Sequence, residues 1–206
     1  MLSTTQKVLR AANFTMAAAE AKQLLKDQGL EVAFAGRSNA GKSSAINAIT
    51  ARSSLARTSK TPGRTQQIIF FELDETRRLV DLPGYGFAKV PNRIKKHWRT
   101  LMSSYFTDRS SLQGLILLMD IRHPLRDEDI QMIDWCVDTQ TPMHILLTKS
   151  DKLSKGAGAN QLQKINKELN TLGYEGASMQ LFSALKKTGI PETLDIISEW
   201  LDISAE

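Results

Sequence analysis

Two glycines, a lysine and a serine are spaced as G-x-x-x-x-G-K-S in the segment Gly36-Arg37-Ser38-Asn39-Ala40-Gly41-Lys42-Ser43. The chemistry of that spacing is capture of a nucleotide's phosphates. The glycines let successive backbone N–H groups turn inward on an oxyanion, and a helix starting there adds the positive end of its dipole. Lys42 would reach the β- and γ-phosphates, and the Ser43 hydroxyl would hold Mg²⁺. A glycine turn with no ligand is the competing reading, and the flanks decide against it. Leu30-Glu31-Val32-Ala33-Phe34-Ala35 is a short apolar run that predicts a buried strand, and Ser44-Ala45-Ile46-Asn47-Ala48-Ile49 has the apolar spacing of a helix. Strand, glycine loop and helix form the context in which the pattern works.

A phosphate loop does not identify the base; Thr148-Lys149-Ser150-Asp151 does. It follows the apolar run His144-Ile145-Leu146-Leu147, so it emerges at the same edge of a sheet. A carboxylate at Asp151 can accept hydrogen bonds from the N1–H and exocyclic amine of guanine. Adenine offers neither and would leave a desolvated charge unpaired. The aliphatic stem of Lys149 can lie over the purine face. Asp81-Leu82-Pro83-Gly84 ends another strand with a carboxylate that can reach Mg²⁺ through water, and the Gly84 N–H can approach the γ-phosphate. Thr65, in the polar segment Gly63-Arg64-Thr65-Gln66-Gln67, is placed to complete the Mg²⁺ shell, with Thr61 as its rival. Phe182-Ser183-Ala184, after the last apolar run, can support the base from its other side.

The elements that must position these groups follow from the alternation of short apolar runs with helical patterns, which argues for a mostly parallel sheet with helices on both faces. Strands are expected at 32–35, 67–72, 78–81, 115–120, 144–148 and 179–183. The second and third lie close enough to form an antiparallel hairpin. Helices are expected at 42–50, 91–106, 127–139, 160–171 and 191–203. Residues 1–28 are read as an N-terminal extension with a short strand near Phe14 and a helix through 17–25 ended by Gly29, and 29–206 as the nucleotide-binding domain. Two long polar loops, 52–64 and 84–92, should emerge beside the phosphate site.

Bulk properties narrow the class. The 206 residues suffice for one α/β domain, and 41% hydrophobic with 24% charged residues is ordinary for a globular protein. No apolar run is long enough to span a bilayer, and the weakly basic N-terminus fits neither a signal nor a transit peptide. One cysteine, Cys136 in a helical pattern, reads as a small core residue of a reducing compartment, which places the protein in the cytoplasm. The net charge of +5 permits a polyanionic partner. Trp98, Trp135 and Trp200 sit at helical spacings and read as packing residues. His97, His123 and His144 are too scattered for a metal site.

Gly36–Ser43, Thr58-Ser59-Lys60-Thr61-Pro62-Gly63-Arg64-Thr65-Gln66, Asp81-Leu82-Pro83-Gly84-Tyr85-Gly86 and Asp120-Ile121-Arg122-His123-Pro124-Leu125 occur in this order. Together with T-K-x-D they resemble the translation-factor-related GTPases and, among these, the bacterial EngB (YihA/YsxC) family. The resemblance runs from about Phe14 to Leu201; its specific parts are 60–66 and 120–125. It implies a Ras-like P-loop GTPase domain with a six-stranded sheet containing one antiparallel strand. It also implies GTP hydrolysis, Mg²⁺ dependence, a role in large ribosomal subunit assembly, and a need for the protein in cell division and septation. A monomer is the default state.

Many small GTPases orient the attacking water with a glutamine after D-x-x-G. Here that position is Tyr85. Lys42, Thr65, Gly84 and Asn39 form the expected catalytic set, with Asn39 at a loop position that helps related GTPases bind K⁺. Asn39 as a loop-shaping residue is the alternative. Arg52, Arg57, Lys60 and Arg64 occupy one polar loop, and Lys89, Arg93, Lys95, Lys96, His97 and Arg99 lie in and after the other. They form either a ribosomal-RNA-binding surface or a solvated helix face. A nucleotide-regulated binding module with negligible hydrolysis, and an ATP-using phosphotransferase, are the rival functions; the second conflicts with Asp151.

Overall fold

A computed structural model describes residues 2–57, 67–86, 91–107, 109–174 and 177–204. Helix α1 (Thr4–Arg10) is followed by β1 (Asn13–Ala18), β2 (Leu30–Gly36), α2 (Lys42–Ile49), β3 (Ile68–Glu72), β4 (Arg77–Asp81), α3 (Asn92–Phe106) and β5 (Leu112–Asp120). Helix α4 (Asp127–Asp138), β6 (Met143–Thr148), α5 (Lys155–Thr171), β7 (Ser178–Leu181) and α6 (Ile190–Trp200) complete the chain. One sheet holds the strands in the order β1-β3-β4-β2-β5-β6-β7. Strands β4, β2, β5, β6 and β7 run parallel, and β3 runs antiparallel to both β1 and β4.

Both faces of the sheet are covered, which is why β2 and β5 read as nearly unbroken apolar runs. Alternate residues of β2 divide between the two sides. Ala33 and Ala35 join Leu101, Met102 and Tyr105 of α3, Met132 and Ile133 of α4, and Ile165 and Leu169 of α5. Val32 and Phe34 join Leu9 of α1, Ala45, Ile46 and Ile49 of α2, and Leu194 and Ile197 of α6. The predicted packing roles hold for all three tryptophans: Trp200 packs on one apolar layer, and Trp98 and Trp135, whose rings lie 5.6 Å apart, pack on the other. Cys136 is buried in the same layer, and desolvation pushes its thiol up to about 12.

Two expectations need correction. The sheet has seven strands, because β1 joins it through β3 with partners from Asn13↔Glu72 to Ala18↔Ile68. The helix expected through 17–25 does not form: Ala17 and Ala18 belong to that strand, and only a 3₁₀ turn, Ala21–Gln23, follows. Alanine-rich composition favours a helix, but the free edge of β3 offers a full hydrogen-bond ladder, and tertiary pairing overrides local propensity. The helix of this region lies earlier, at Thr4–Arg10, where Ser3 and Gln6 close a capping box. Gly29 is not a helix end but a left-handed turn into β2 (φ 79°), where a Cβ would stand 2.1 Å from the Thr76 carbonyl oxygen.

At the end of β2 remote from the phosphate loop, Glu31 is fully buried. Its carboxylate accepts from Arg109 (Nε 2.8 Å, Nη2 2.8 Å), Arg78 (3.1 Å) and the Tyr105 hydroxyl (3.0 Å). Arg109 also donates to the Leu25 carbonyl at 3.2 Å, and its guanidinium lies 5.1 Å from the Tyr105 ring centroid. The N-terminal segment, α3 and the sheet are thereby tied at one buried charge.

Candidate nucleotide site

The strand order reverses at β2, whose neighbours β4 and β5 both follow it in the chain but lie on opposite sides of it in the sheet. In open α/β sheets that reversal opens a crevice at the carboxyl ends of the strands. The phosphate loop leaves β2 there, Asp81 ends β4, Asp120 ends β5 and Thr148 ends β6. The sequence-predicted segments therefore converge on one edge.

Gly41 caps α2 with φ 91°, a left-handed conformation that costs other residues energy, and so directs the first N–H groups of the helix out of its end. Gly36 is required by space: a Cβ there would come within 2.9 Å of the Leu118 carbonyl oxygen. Lys42 forms an ion pair with Asp81, and both side chains are largely buried. The pair holds the lysine at the strand edge, and incoming phosphates would have to compete for it. The Ser43 hydroxyl donates to the Arg57 carbonyl at 3.2 Å. The D-x-x-G segment is docked on the loop: Ser38 N–H donates to the Tyr85 carbonyl (2.9 Å), and Leu82 N–H to the Phe34 carbonyl (3.0 Å). A Cβ on Gly84 would lie 3.6 Å from the Ser38 nitrogen, so Leu82, Pro83 and Gly84 pass close beside the cradle.

Tyr85 is turned away from the phosphates. It is buried, its ring lies 5.9 Å from that of Trp98, and its hydroxyl donates to Asp129 of α4 at 2.9 Å. Burial raises the phenol well above its usual range, with the Asp129 charge adding to the effect, so it cannot serve as a base. Desolvation likewise raises the Asp129 carboxyl.

The base-recognition segment is fastened to the phosphate loop at two points. Thr148 Oγ1 donates to the Ala40 carbonyl (2.6 Å), and Lys149 Nζ donates to the Asn39 carbonyl (2.7 Å). Lys149 takes φ 58°, and Ser150–Lys152 form a 3₁₀ turn that presents Asp151. Ser183 Oγ donates to Asp151 Oδ1 at 2.6 Å, and this bond, first among several, holds the carboxyl below its usual range. Ser150 N–H donates to the Phe182 carbonyl at 3.2 Å, joining the two base-side loops. Strand β7 is held in place by buried His144, whose ring nitrogens bond Ser178 Oγ (2.7 Å) and Gln180 Oε1 (2.9 Å). Ala184 packs against the apolar layer beneath. Leu185 beside it is 72% exposed, an apolar side chain at the base side that composition gave no reason to single out.

Thr58 through Gln66, including Lys60, Thr61, Gly63, Arg64, Thr65 and Gln66, lies outside the described residues, as does Lys89. Gln67 is described as exposed just before β3. Ser43 and Asp81 are hard oxygen donors beside the cradle. Among the described residues no group of three His, Cys, Asp or Glu could hold a metal by itself. That donor set fits Mg²⁺, which takes one or two protein oxygens and completes its shell with phosphate oxygens and water.

Two functional partners escaped sequence reasoning, Asp120 for Lys149 and Asp129 for Tyr85. The signal for Asp120 was its place at the end of an apolar strand; for Asp129 there was none, because it lies 44 residues from its partner in the chain. A cleft of about 240 Å³ opens beside the phosphate loop, walled by Ser38, Asn39, Asp120, His123 and Lys149.

Comparison with known proteins agrees with this geometry. A probable GTP-binding protein engB of known structure superposes with a TM-score of 0.63 at 21% identity, over 84% of this chain and 100% of that one. Era from Aquifex aeolicus bound to GDP·AlF4⁻ gives 0.62 at 18% identity, over 87% of this chain and 58% of that one. Era in complex with MgGDPNP and a segment of 16S ribosomal RNA gives 0.64 at 18%, over 87% and 59%. At these identities the likenesses establish the fold, the Ras-like P-loop architecture. The family model described as "50S ribosome-binding GTPase" matches residues 31–149, more than half of the chain, from β2 through the phosphate loop and D-x-x-G to Lys149 of T-K-x-D; Asp151 and Phe182–Ala184 lie beyond it. With the cradle, the carboxylate-ended strands and the T-K-x-D loop at one sheet edge, the chain belongs to that family of P-loop GTPases.

Proposed function

We propose that this GTPase is an EngB-type switch that acts in assembly of the large ribosomal subunit and is needed for normal division and septation. The single observation that carries the nucleotide choice is Asp151, fixed by Ser183 and mounted on a segment bonded to the phosphate loop. In this reading Gly36 to Ser43 cradle the phosphates, and Gly63 to Gln67 close over them. Asp81 to Gly84 sense the γ-phosphate, while Thr148 to Asp151 and Phe182 to Ala184 hold guanine. Residues 1–28 are an extension packed on the GTPase domain formed by 29–206, and the protein works as a cytoplasmic monomer. Ser43 and Thr65 would bind Mg²⁺, with Asp81 reached through water. The ion, when bound, neutralises charge on the β- and γ-phosphates.

Hydrolysis then rests on Lys42, Gly84 and the backbone donors, because Tyr85 is committed to Asp129. Slow intrinsic turnover follows. Asn39 is exposed, with φ 66° and its main-chain carbonyl taken by Lys149, so its side-chain oxygen is what it offers a cation such as K⁺. Turnover is expected to rise in K⁺ over Na⁺ and to lose that difference in Asn39→Ala. Equal rates in both salts for the parent protein would remove K⁺ from the mechanism.

The surface that supports a ribosomal partner is α3. Its 15 residues include Arg93, Lys95, Lys96 and Arg99, all exposed, and no acidic side chain. It begins shortly after the D-x-x-G segment, so GTP state could be transmitted to it. Co-sedimentation with isolated ribosomal subunits should require GTP and favour the large subunit. Lys95→Glu with Lys96→Glu should weaken it and flatten its log–log salt dependence by about 2, one for each phosphate that is no longer neutralised. Unchanged binding across salt concentrations would make α3 a solvated face only.

A further inference from the structure

The Asp120–Leu125 segment carried the family resemblance without a chemical role, and the structure supplies one. Asp120 ends β5 directly opposite Thr148 in β6. Its carboxylate is engaged on both oxygens. Oδ1 accepts from Arg122 N–H (3.1 Å) and Nε (2.9 Å), and Oδ2 accepts from Arg122 Nη2 (2.7 Å) and lies 3.0 Å from Lys149 Nζ. The bidentate Arg122 contact orients the carboxylate plane and keeps it ionised. Lys149 Nζ therefore has two anchors, the Asp120 carboxylate and the Asn39 carbonyl, which fix the far end of its stem.

We propose that Asp120 is a positioning residue for guanine-nucleotide retention, acting by pinning Lys149 between the end of β5 and the phosphate loop. The inference rests on the reading that the nucleotide lies across this loop with its purine beside the Lys149 stem. A lysine stem loses much rotamer freedom when it is ordered against a flat ligand. Here that freedom is already removed before the ligand arrives, which is the general route by which preorganisation slows release. Asp120 touches neither base nor phosphate in this scheme, so base choice stays with Asp151. Nucleotides of either phosphate number should be affected alike.

The test is the dissociation rate of fluorescent mant-GDP and mant-GppNHp from the full chain, with thermal midpoints recorded in parallel. Nucleotide binding by the parent protein checks the underlying reading first; its absence would sink that reading, whatever the variants do. Asp120→Ala should release both nucleotides about tenfold faster, the size of a lost hydrogen bond to a charged group. Asp120→Asn, which keeps an acceptor for Lys149, should recover part of that loss. In a Lys149→Met background the Asp120→Ala change should add less than about twofold, since coupled residues are non-additive. A purely structural carboxylate would lower the thermal midpoint without changing release. Release at the parent rate in both Asp120 variants, or an undiminished tenfold effect in the Lys149→Met background, would overturn the proposal.

Discussion

Asp151→Asn is expected to lower affinity for GTP and GDP by about a hundred- to a thousandfold while raising that for xanthosine nucleotides, because a site built around a hydrogen-bonded charge strongly rejects a base that cannot complete it. The carboxylate accepts from N1–H and the exocyclic amine of guanine. An amide keeps one acceptor and gains a donor, which matches the 2-oxo group of xanthine. Ser183 can still donate to the amide oxygen as it does now to Oδ1, so the loop should keep its shape. Competition of GTP, XTP and ATP against mant-GDP measures the outcome. Comparable GTP affinity in parent and variant would show that the base lies elsewhere and would remove the reason for excluding adenine.

The largest stability effect should come from Glu31→Ala. One carboxylate, fully buried, satisfies two guanidinium groups and a phenol. Its removal leaves Arg109, itself largely buried, without its anionic partner, and breaking one side of such a buried pair costs about 3–5 kcal/mol. Glu31→Gln, which keeps the shape and one acceptor, should cost less. The network sits at the opposite end of β2 from the phosphate loop, so nucleotide release should be nearly unchanged at temperatures where the variant is folded. Urea unfolding monitored through the tryptophans gives the value, and a loss below about 1 kcal/mol would mean Arg109 finds other partners.

Much of this arrangement is legible in the residues, for reasons that differ from element to element. The phosphate loop can be placed because its glycines, lysine and flanking strand are all local requirements. Asp81 and Asp151 can be placed because each follows an apolar run whose period marks a buried strand. The β3–β4 hairpin is legible from a short connection. A strand near Phe14 is legible, but its place in the sheet and its extension through Ala18 are not, because its pairing with β3 spans fifty residues or more and the alanines at its end favour a helix. Tyr85 shows a different limit. The residues show that the usual glutamine is missing, yet not that the phenol is drawn inward to a buried carboxylate from another helix. Asp120 stands in the sequence only as part of a motif; the register Asp120↔Thr148 is what gives it a partner.

The seventh strand has a consequence for anyone handling the protein. Strand β3 carries Ile68, Ile69, Phe70 and Phe71 in succession, and its outer flank is satisfied by β1. A version trimmed before Ala19 would present that greasy ribbon with an open row of amides and carbonyls, the template from which intermolecular sheets grow. The leading residues thus move the sheet's open edge from β3 to β1, whose ladder is broken by an irregularity between Phe14 and Met16, and affinity tags are better placed where cleavage cannot run on into them.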